Sequence, residues 1–79
     1  MKILVRNLSR STTEQQIEEL FTPFSNIEYC NLVLDKTSGK SKGFAFVEMN
    51  DDKAALLSIV KLNGSKLDGK AIRVKKADD

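Results

Sequence analysis

Residues Lys42–Met49 read KGFAFVEM, and this octapeptide is apolar in both phases of a two-residue repeat. Successive side chains of a β-strand point to opposite faces, so Phe44 and Phe46 share one face, about 6.7 Å apart along the strand. The opposite face carries Ala45, Val47 and Met49. A chain of 79 residues has one small core and no obvious second layer to cover both faces. The strand therefore predicts one buried face and one exposed aromatic face that serves as a binding surface.

The residues before the octapeptide predict a strand and a helix. Residues 2–6 alternate as a strand does. Thr13 is the predicted N-cap of the helix, because Gln16 stands three residues later in capping-box spacing, and Pro23 closes the helix near Thr22. The buried stripe of the helix has the spacing i, i+3, i+4 and i+7 and comprises Ile17, Leu20, Phe21 and Phe24. The other face, with Glu14, Glu18 and Glu19, is expected to stay in water.

Two more strands and a second helix complete the pattern. Residues 28–34 alternate, with Cys30, Leu32 and Leu34 in one phase, and a turn containing Gly39 joins them to the octapeptide as a hairpin. A helix is predicted over 52–62, begun by Asn50 or Asp51 and ended at Asn63-Gly64, with Ala55, Ile59 and Leu62 inward. Residues 71–75 form the last strand, after a turn at Asp68-Gly69.

The resulting order, β-α-β-β-α-β, predicts an α+β fold of the ferredoxin-like kind, formed by a single domain over 1–79. Right-handed crossovers place the first and third strands at the centre of a four-stranded antiparallel sheet with both helices on one face. The other face, called the open face below, is left uncovered. Alternation assigns to it Leu4, Arg6, Asn31, Val33, Lys42, Phe44, Phe46, Glu48, Arg73 and Lys75.

Charge and cysteine content narrow the class of function. The net charge of +2 is small, but basic residues cluster around the Gly39 turn and near the end of the chain, which favours a basic face. With no histidine and one cysteine, Cys30, expected to be buried, neither a His-based catalytic dyad nor a Cys/His metal site can form.

No apolar run is long enough to span a membrane or form a secretory signal, so a cytoplasmic location is expected.

The octapeptide resembles the signature of the RNA-recognition motif, K/R-G-F/Y-G/A-F-V-x-F/Y, at every position except Met49. Residues 3–8, ILVRNL, resemble the hexapeptide on the first strand of that family. Residues 35–43 resemble its loop between the second and third strands, and residues 62–64 and 67–70 resemble its typical ending. The likeness covers essentially the whole chain.

The resemblance implies a domain that binds single-stranded RNA, with single-stranded DNA as an alternative ligand, and that needs no cofactor or metal. It implies that Phe46 stacks on a base, that Phe44 contacts sugars or lies between two nucleotides, and that Lys42 meets phosphate. The remaining contacts are expected from Leu4, Arg6, Asn31, Val33, Arg73, Lys75 and, in the loop, Lys40. Leu4 stands where the family usually has a second aromatic, which predicts modest affinity and loose sequence preference.

Two other classes of function are weighed against RNA binding. Acylphosphatase-type enzymes share this topology, but no Gly-rich phosphate-binding loop with a nearby arginine follows the first strand. A protein-interaction module is supported by Leu56, Leu57 and Val60, which make the second helix apolar on more than one side. The open face could also pack against another domain or a second copy, but interface cores are usually depleted in lysine. A non-catalytic monomer is expected.

Overall fold

The computed structural model describes residues 1–77 and forms six strands and two helices within that range. The predicted domain over 1–79 also includes residues 78 and 79, which lie outside the described part. The elements are β1 (Lys2–Arg6), α1 (Glu14–Phe21), β2 (Ile27–Leu34), β3 (Ser41–Met49), α2 (Asp52–Leu62), β4 (Lys66–Leu67), β5 (Lys70–Ala71) and β6 (Arg73–Lys76). Neither helix in the described range is long and apolar enough to cross a membrane.

Four of the strands form an antiparallel sheet in the order β2-β3-β1-β6. The first and third strands of the chain are central, as the handedness of the crossovers predicts. Both helices pack into one core cluster with the inward side chains of this sheet, so they cover the same face. The predicted ferredoxin-like α+β fold is confirmed. The buried apolar side chains of the cluster are Ile3, Val5, Leu8, Ile17, Phe21, Ala45, Val47, Met49, Ala55, Ile72 and Val74.

Helix α1 begins and ends where the sequence predicts. Thr13 and Gln16 form the complete capping box, and the helix ends with Thr22 as its C-cap, one residue before Pro23. Glu14 differs from its expected solvated role, because its carboxylate accepts a hydrogen bond from the backbone N–H of Leu32 at 2.9 Å. This bond occupies a donor of the edge strand β2 and therefore blocks one site for pairing with another strand.

Helix α2 is capped by Asp51, whose carboxylate accepts from the backbone N–H of Ala54 at 3.1 Å. Ala55 is fully buried as predicted, and so is Ser58, which hydrophobic periodicity does not select. The Ser58 hydroxyl is satisfied by donating to the Ala55 carbonyl at 2.7 Å. The outer side of the helix is apolar and exposed at Leu56 (52%), Leu57 (50%) and Val60 (75%).

The last part of the chain differs from the single strand predicted over 71–75. The Ile72 N–H donates to the Ser65 carbonyl at 2.9 Å, which interrupts the strand at Ile72. β4 and β5 consequently form a separate two-stranded hairpin, and the fourth strand of the sheet is β6. The hairpin is fixed to the start of α1, because Asp68 accepts a hydrogen bond from the Thr12 hydroxyl at 2.7 Å.

The pairing of β2 with β3 is irregular near the end of β2. Between the pairs Leu32–Ala45 and Leu34–Ser41, β2 advances two residues while β3 advances four. The shift breaks strict alternation, and Leu34, which shares the phase of Cys30 and Leu32, is 50% exposed. Cys30 was expected to be buried and is half-buried. The prediction that Cys30 is buried is wrong, because β2 is an edge strand of the sheet and its inward side chain at Cys30 is only partly covered.

Candidate nucleic-acid interface

Cα partners across the sheet arrange the side chains of the open face in rows that run perpendicular to the strands. The first row pairs Arg73 with Arg6; the second contains Lys75, Leu4, Phe46 and Asn31; the third contains Lys2, Glu48 and Tyr29. The predicted residues Leu4, Phe46, Asn31 and Lys75 are thus direct neighbours. Leu4 lies between the ring of β3 and the cation of β6, the position at which the family usually has an aromatic.

The two phenylalanines of β3 contact each other. The ring centroids of Phe44 and Phe46 are 6.1 Å apart with an interplanar angle of 89°, an edge-to-face arrangement. The rings are therefore unstacked, as the strand spacing predicts, but they form a pair rather than two separate surfaces. Both are half-buried, which leaves part of each ring accessible to a ligand.

Lys2 is a member of the open face that was not selected from the sequence. Its ammonium lies 4.7 Å from the centroid of Phe46, a cation–π contact. Lys2 is in the same alternation phase as Leu4 and Arg6, so the two-residue period was sufficient to find it. The contact places a positive charge directly against the ring expected to stack on a base.

Tyr29 is a third ring on the open face and was also missed. Between the pairs Ile27–Met49 and Tyr29–Glu48, β2 advances two residues while β3 advances one, so a bulge at Glu28 separates them. Tyr29 pairs with Glu48, which stands in the phase of Phe46, and its side chain is 44% exposed. The phase of Asn31 and Val33 on β2 already contained Tyr29, so alternation was again the available signal.

A group of cations surrounds the end of the open face nearest Arg6. Two shallow cavities, of about 650 and about 210 Å³, meet at Arg6 and Asn7, and no carboxylate belongs to the described residues that line them. The larger is completed by Asn63, Arg73, Val74 and Lys75. The smaller is completed by Leu8, Arg10, Lys42, Gly43, Phe44 and Lys70. The two basic clusters of the sequence are therefore brought together at one end of the sheet.

Arg10, in the loop after β1, reaches β3 and had no signal in the periodic pattern. Its Nη1 donates to the Ser41 carbonyl at 2.8 Å, which fixes the guanidinium beside Gly43. Gly43 has φ +85, and a Cβ at this position would lie 3.2 Å from the Leu8 carbonyl oxygen. The second residue of the octapeptide is therefore glycine for backbone reasons, because this φ and this close approach disfavour any side chain.

The loop between β2 and β3 is ordered by Asp35. Its carboxylate accepts from the backbone N–H groups of Thr37 and Ser38, both at 2.9 Å, and these two bonds lower the pKa of Asp35, the Ser38 bond most. Lys40 is exposed at the end of this loop rather than in the rows of the sheet. Lys40 thus lies in the loop as predicted, and Val33 is half-buried inside the irregular stretch between Leu32 and Leu34.

The one thiol has no reactive character. Burial, with the charges of Glu14 and Glu18 nearby, raises the pKa of Cys30 to about 12, so the thiol is neutral at physiological pH. Within residues 1–77, no group of three or more His, Cys, Asp or Glu side chains could hold a metal ion.

A family model described as the RNA recognition motif matches residues 3–73. The chain belongs to the RNA recognition motif family. This RNA recognition motif is 33% identical over 99% of its length to "Glycine-rich RNA-binding protein 2, mitochondrial" and 37% identical over 96% to "Organelle RRM domain-containing protein 6, chloroplastic", both of Arabidopsis thaliana. It spans 49% and 42% of those proteins. Membership confirms the expectation of a non-catalytic binding domain.

Solved structures resemble this RNA recognition motif closely. The crystal structure of RNA-binding protein PG1 superposes with a TM-score of 0.96 at 30% identity, covering 100% of this chain and 95% of that one. A Sex-lethal protein bound to RNA superposes with a TM-score of 0.94 at 27% identity, covering 99% of this chain and 47% of that one. The similarity extends over the whole sheet, including the strands that carry the rings.

Proposed function

We propose that this domain binds single-stranded RNA on the open face of its sheet, with bases stacked on the β3 aromatics and phosphates held by the surrounding cations. The observation that carries the proposal is the accessible Phe44–Phe46 pair beside two cavities lined by arginine and lysine without carboxylates. Aromatic faces bind bases of any sequence, and cations attract the backbone. The RNA-bound Sex-lethal relative supports the same ligand class.

The contact between Lys2 and Phe46 is compatible with stacking. A cation–π contact at an exposed site is worth about 0.5–1 kcal/mol, and stacking of a base on an aromatic about 1–3 kcal/mol. A base that displaces the ammonium from the ring therefore gains more than it loses. The released ammonium of Lys2 stays within reach of the RNA and attracts its phosphates.

Leu4 limits the affinity of the central row. It offers apolar contact without a π face, so much of a second stacking interaction of about 1–3 kcal/mol is absent between Phe46 and Lys75. We therefore expect modest affinity and loose sequence preference. A nanomolar dissociation constant for one short sequence at physiological salt would contradict this expectation.

A titration followed by NMR tests the proposal. Short RNA oligomers added to the labelled domain should shift the amide signals of β1, β2, β3 and β6 in preference to those of the helices. Shifts confined to α2, or none at millimolar RNA, would refute binding on the open face. Matched single-stranded DNA oligomers in a second titration measure the preference for the 2′-hydroxyl.

Lys42→Gln should lower RNA affinity and flatten its salt dependence. Lys42 lines the smaller cavity, and a lost phosphate contact on a single strand reduces the slope of log K against log[salt] by about 0.7. Fluorescence anisotropy at several salt concentrations measures this slope. Lys53→Gln is the matched control, because Lys53 is exposed on α2, away from the open face, and its loss should leave the slope unchanged.

A second candidate function is binding of a protein through the outer side of α2. The specific observation is the exposure of Leu56, Leu57 and Val60, of which Val60 is 75% exposed. Measurement of the mass in solution for wild type and Leu57→Glu tests the simplest form, self-association. We expect a monomer in both, and a wild-type dimer that dissociates in the variant would instead establish this helix as an interface.

The cytoplasmic location remains a prediction from the sequence. The two relatives described above are named as mitochondrial and chloroplastic proteins, so the family itself does not determine a compartment. Imaging of the tagged full-length protein in its own cells measures the location directly.

A further inference from the structure

The third row of the open face, which contains Lys2, Glu48 and Tyr29, has an aromatic ring next to a carboxylate. Tyr29 on β2 pairs with Glu48 on β3, and Glu48 pairs in turn with Lys2 on β1. Tyr29 is diagonal to Phe46, at the distance of about 7–8 Å that separates diagonal neighbours across an antiparallel pair. This is about twice the 3.4 Å rise per nucleotide along a duplex strand, so bases on the two rings would be splayed apart. Splayed, unstacked bases are what RNA-binding surfaces read.

We propose that Tyr29 and Glu48 form a further nucleotide site, adjacent to Phe46, that accepts a base carrying an exocyclic amino group. This inference rests on the proposed RNA binding and adds a position and a base preference to it. Tyr29 is 44% exposed and presents a ring on the face that carries Phe46, which compensates in part for the aromatic missing at Leu4.

The base preference follows from the charge of Glu48. A carboxylate accepts hydrogen bonds only, so it pairs with the amino groups of cytosine, adenine or guanine. The one donor of the uracil base edge, N3–H, lies between two carbonyl oxygens that the carboxylate repels, so uracil binds more weakly. One oxygen of Glu48, Oε2, lies 2.8 Å from the N-terminal amine of Met1. A carboxylate offers about four lone-pair sites, so this contact leaves acceptor capacity for a base.

The same charge separates this row from the end of the sheet near Arg6. A carboxylate repels phosphate, whereas the two cavities at Arg6 are lined by cations. The charged side chains among the described residues that line the cavities near Arg6 are all cations, whereas the acceptor nearest Tyr29 is the carboxylate of Glu48, which lies between Tyr29 and Lys2. In the proposed site Tyr29 and Glu48 contact the base, and Lys2 attracts the phosphate.

The composition of the chain provides a reporter located at the proposed site. Tyr29 is the only tyrosine and there is no tryptophan, so intrinsic fluorescence above the phenylalanine background comes from this ring. Cytosine, adenine and uracil hexamers should each be titrated into the domain, with free tyrosine amide as the correction for absorption by RNA. Saturable quenching with the cytosine and adenine hexamers, and weaker quenching with uracil, is expected.

Substitutions at Tyr29 and Glu48 test this site independently of RNA binding by the rest of the open face. Tyr29→Ala should weaken binding of the cytosine hexamer by about 5-fold or more, the lower limit for loss of one stacked base, while Tyr29→Phe should retain it. Glu48→Gln should reduce the preference for cytosine over uracil, expected to be about 12- to 160-fold for one hydrogen bond to a charged acceptor, toward equality.

The failure of this site is distinguishable from the failure of RNA binding. If Phe46→Ala weakens binding but Tyr29→Ala binds as wild type does, the Tyr29 site is refuted and the proposed function stands. If wild type binds uracil hexamers as tightly as cytosine hexamers, the role of Glu48 is refuted. If no hexamer binds wild type at all, the proposed function fails and the Tyr29 site fails with it.

Discussion

Replacing Phe46 by alanine is expected to weaken RNA binding by about 5- to 150-fold, which corresponds to about 1–3 kcal/mol for one stacked base. Phe46 lies at the centre of the open face, between Leu4 and Asn31, and contacts both the ring of Phe44 and the ammonium of Lys2. Leu4 offers no ring to replace it. Anisotropy with a fluorescent RNA hexamer measures the dissociation constant.

Two variants make the Phe46 experiment decisive. Phe46→Tyr keeps the aromatic face and should bind within a few-fold of wild type, whereas Phe46→Leu keeps apolar area without the ring and should resemble the alanine variant. Circular dichroism should show the same fold in all three, because the core residues of β3 are in the opposite phase. Unchanged affinity in a folded Phe46→Ala variant would refute stacking on this ring.

The sheet and its uncovered face were predictable, because the alternation of residues within β3 alone determines which of its side chains are buried. Ala45, Val47 and Met49 are all fully buried, and Phe44 and Phe46 are partly accessible, as a strict two-residue period requires. The helix starts were equally predictable, because capping is decided within four residues of sequence.

β2 was less predictable because bulges depend on its partner strand. Where β2 and β3 pair regularly, Asn31 lies in the row of Phe46 on the open face to which alternation assigns it, but Leu34 lies beyond a register shift and is exposed. Such a shift depends on how the two strands pair, and the alternation of residues in either strand does not reveal it. Tyr29 differs, because it shares the two-residue phase of Asn31 and Val33, and alternation alone is sufficient to place it on the open face.

Two cations at the basic end of the site could not be predicted from two-residue alternation. Arg10 is in a loop, and its position beside Gly43 follows from a hydrogen bond to Ser41, 31 residues away in the chain. Lys70 belongs to a hairpin of two-residue strands, too short to give an alternation signal. Both cations meet Lys42 only after the chain folds, so alternation predicted Arg6, Lys42, Arg73 and Lys75 for this face but not Arg10 or Lys70.

Phe21→Ala is expected to have the largest effect on stability of any change considered. Phe21 is fully buried in the core cluster, and truncation of a buried phenylalanine costs about 3–5 kcal/mol through lost burial and the cavity left behind. Small domains have about 5–15 kcal/mol of stability in total, so the variant should be close to unfolding. Urea denaturation followed by circular dichroism measures the change, and Phe21→Leu should lose much less.

RNA provides a further test of this prediction, because α1 lies on the face opposite the open face. The folded fraction of Phe21→Ala should bind RNA as wild type does, since no residue of the rings or cavities has changed. Mass action then restores stability as RNA is added, by about 2.7 kcal/mol at a concentration of 100 times the dissociation constant. Recovery of the folded signal with a cytosine hexamer, and a smaller recovery in Phe21→Ala combined with Phe46→Ala at the same RNA concentration, would separate the residues that maintain the fold from those that bind the ligand. Equal recovery in both variants would place the RNA elsewhere on the domain.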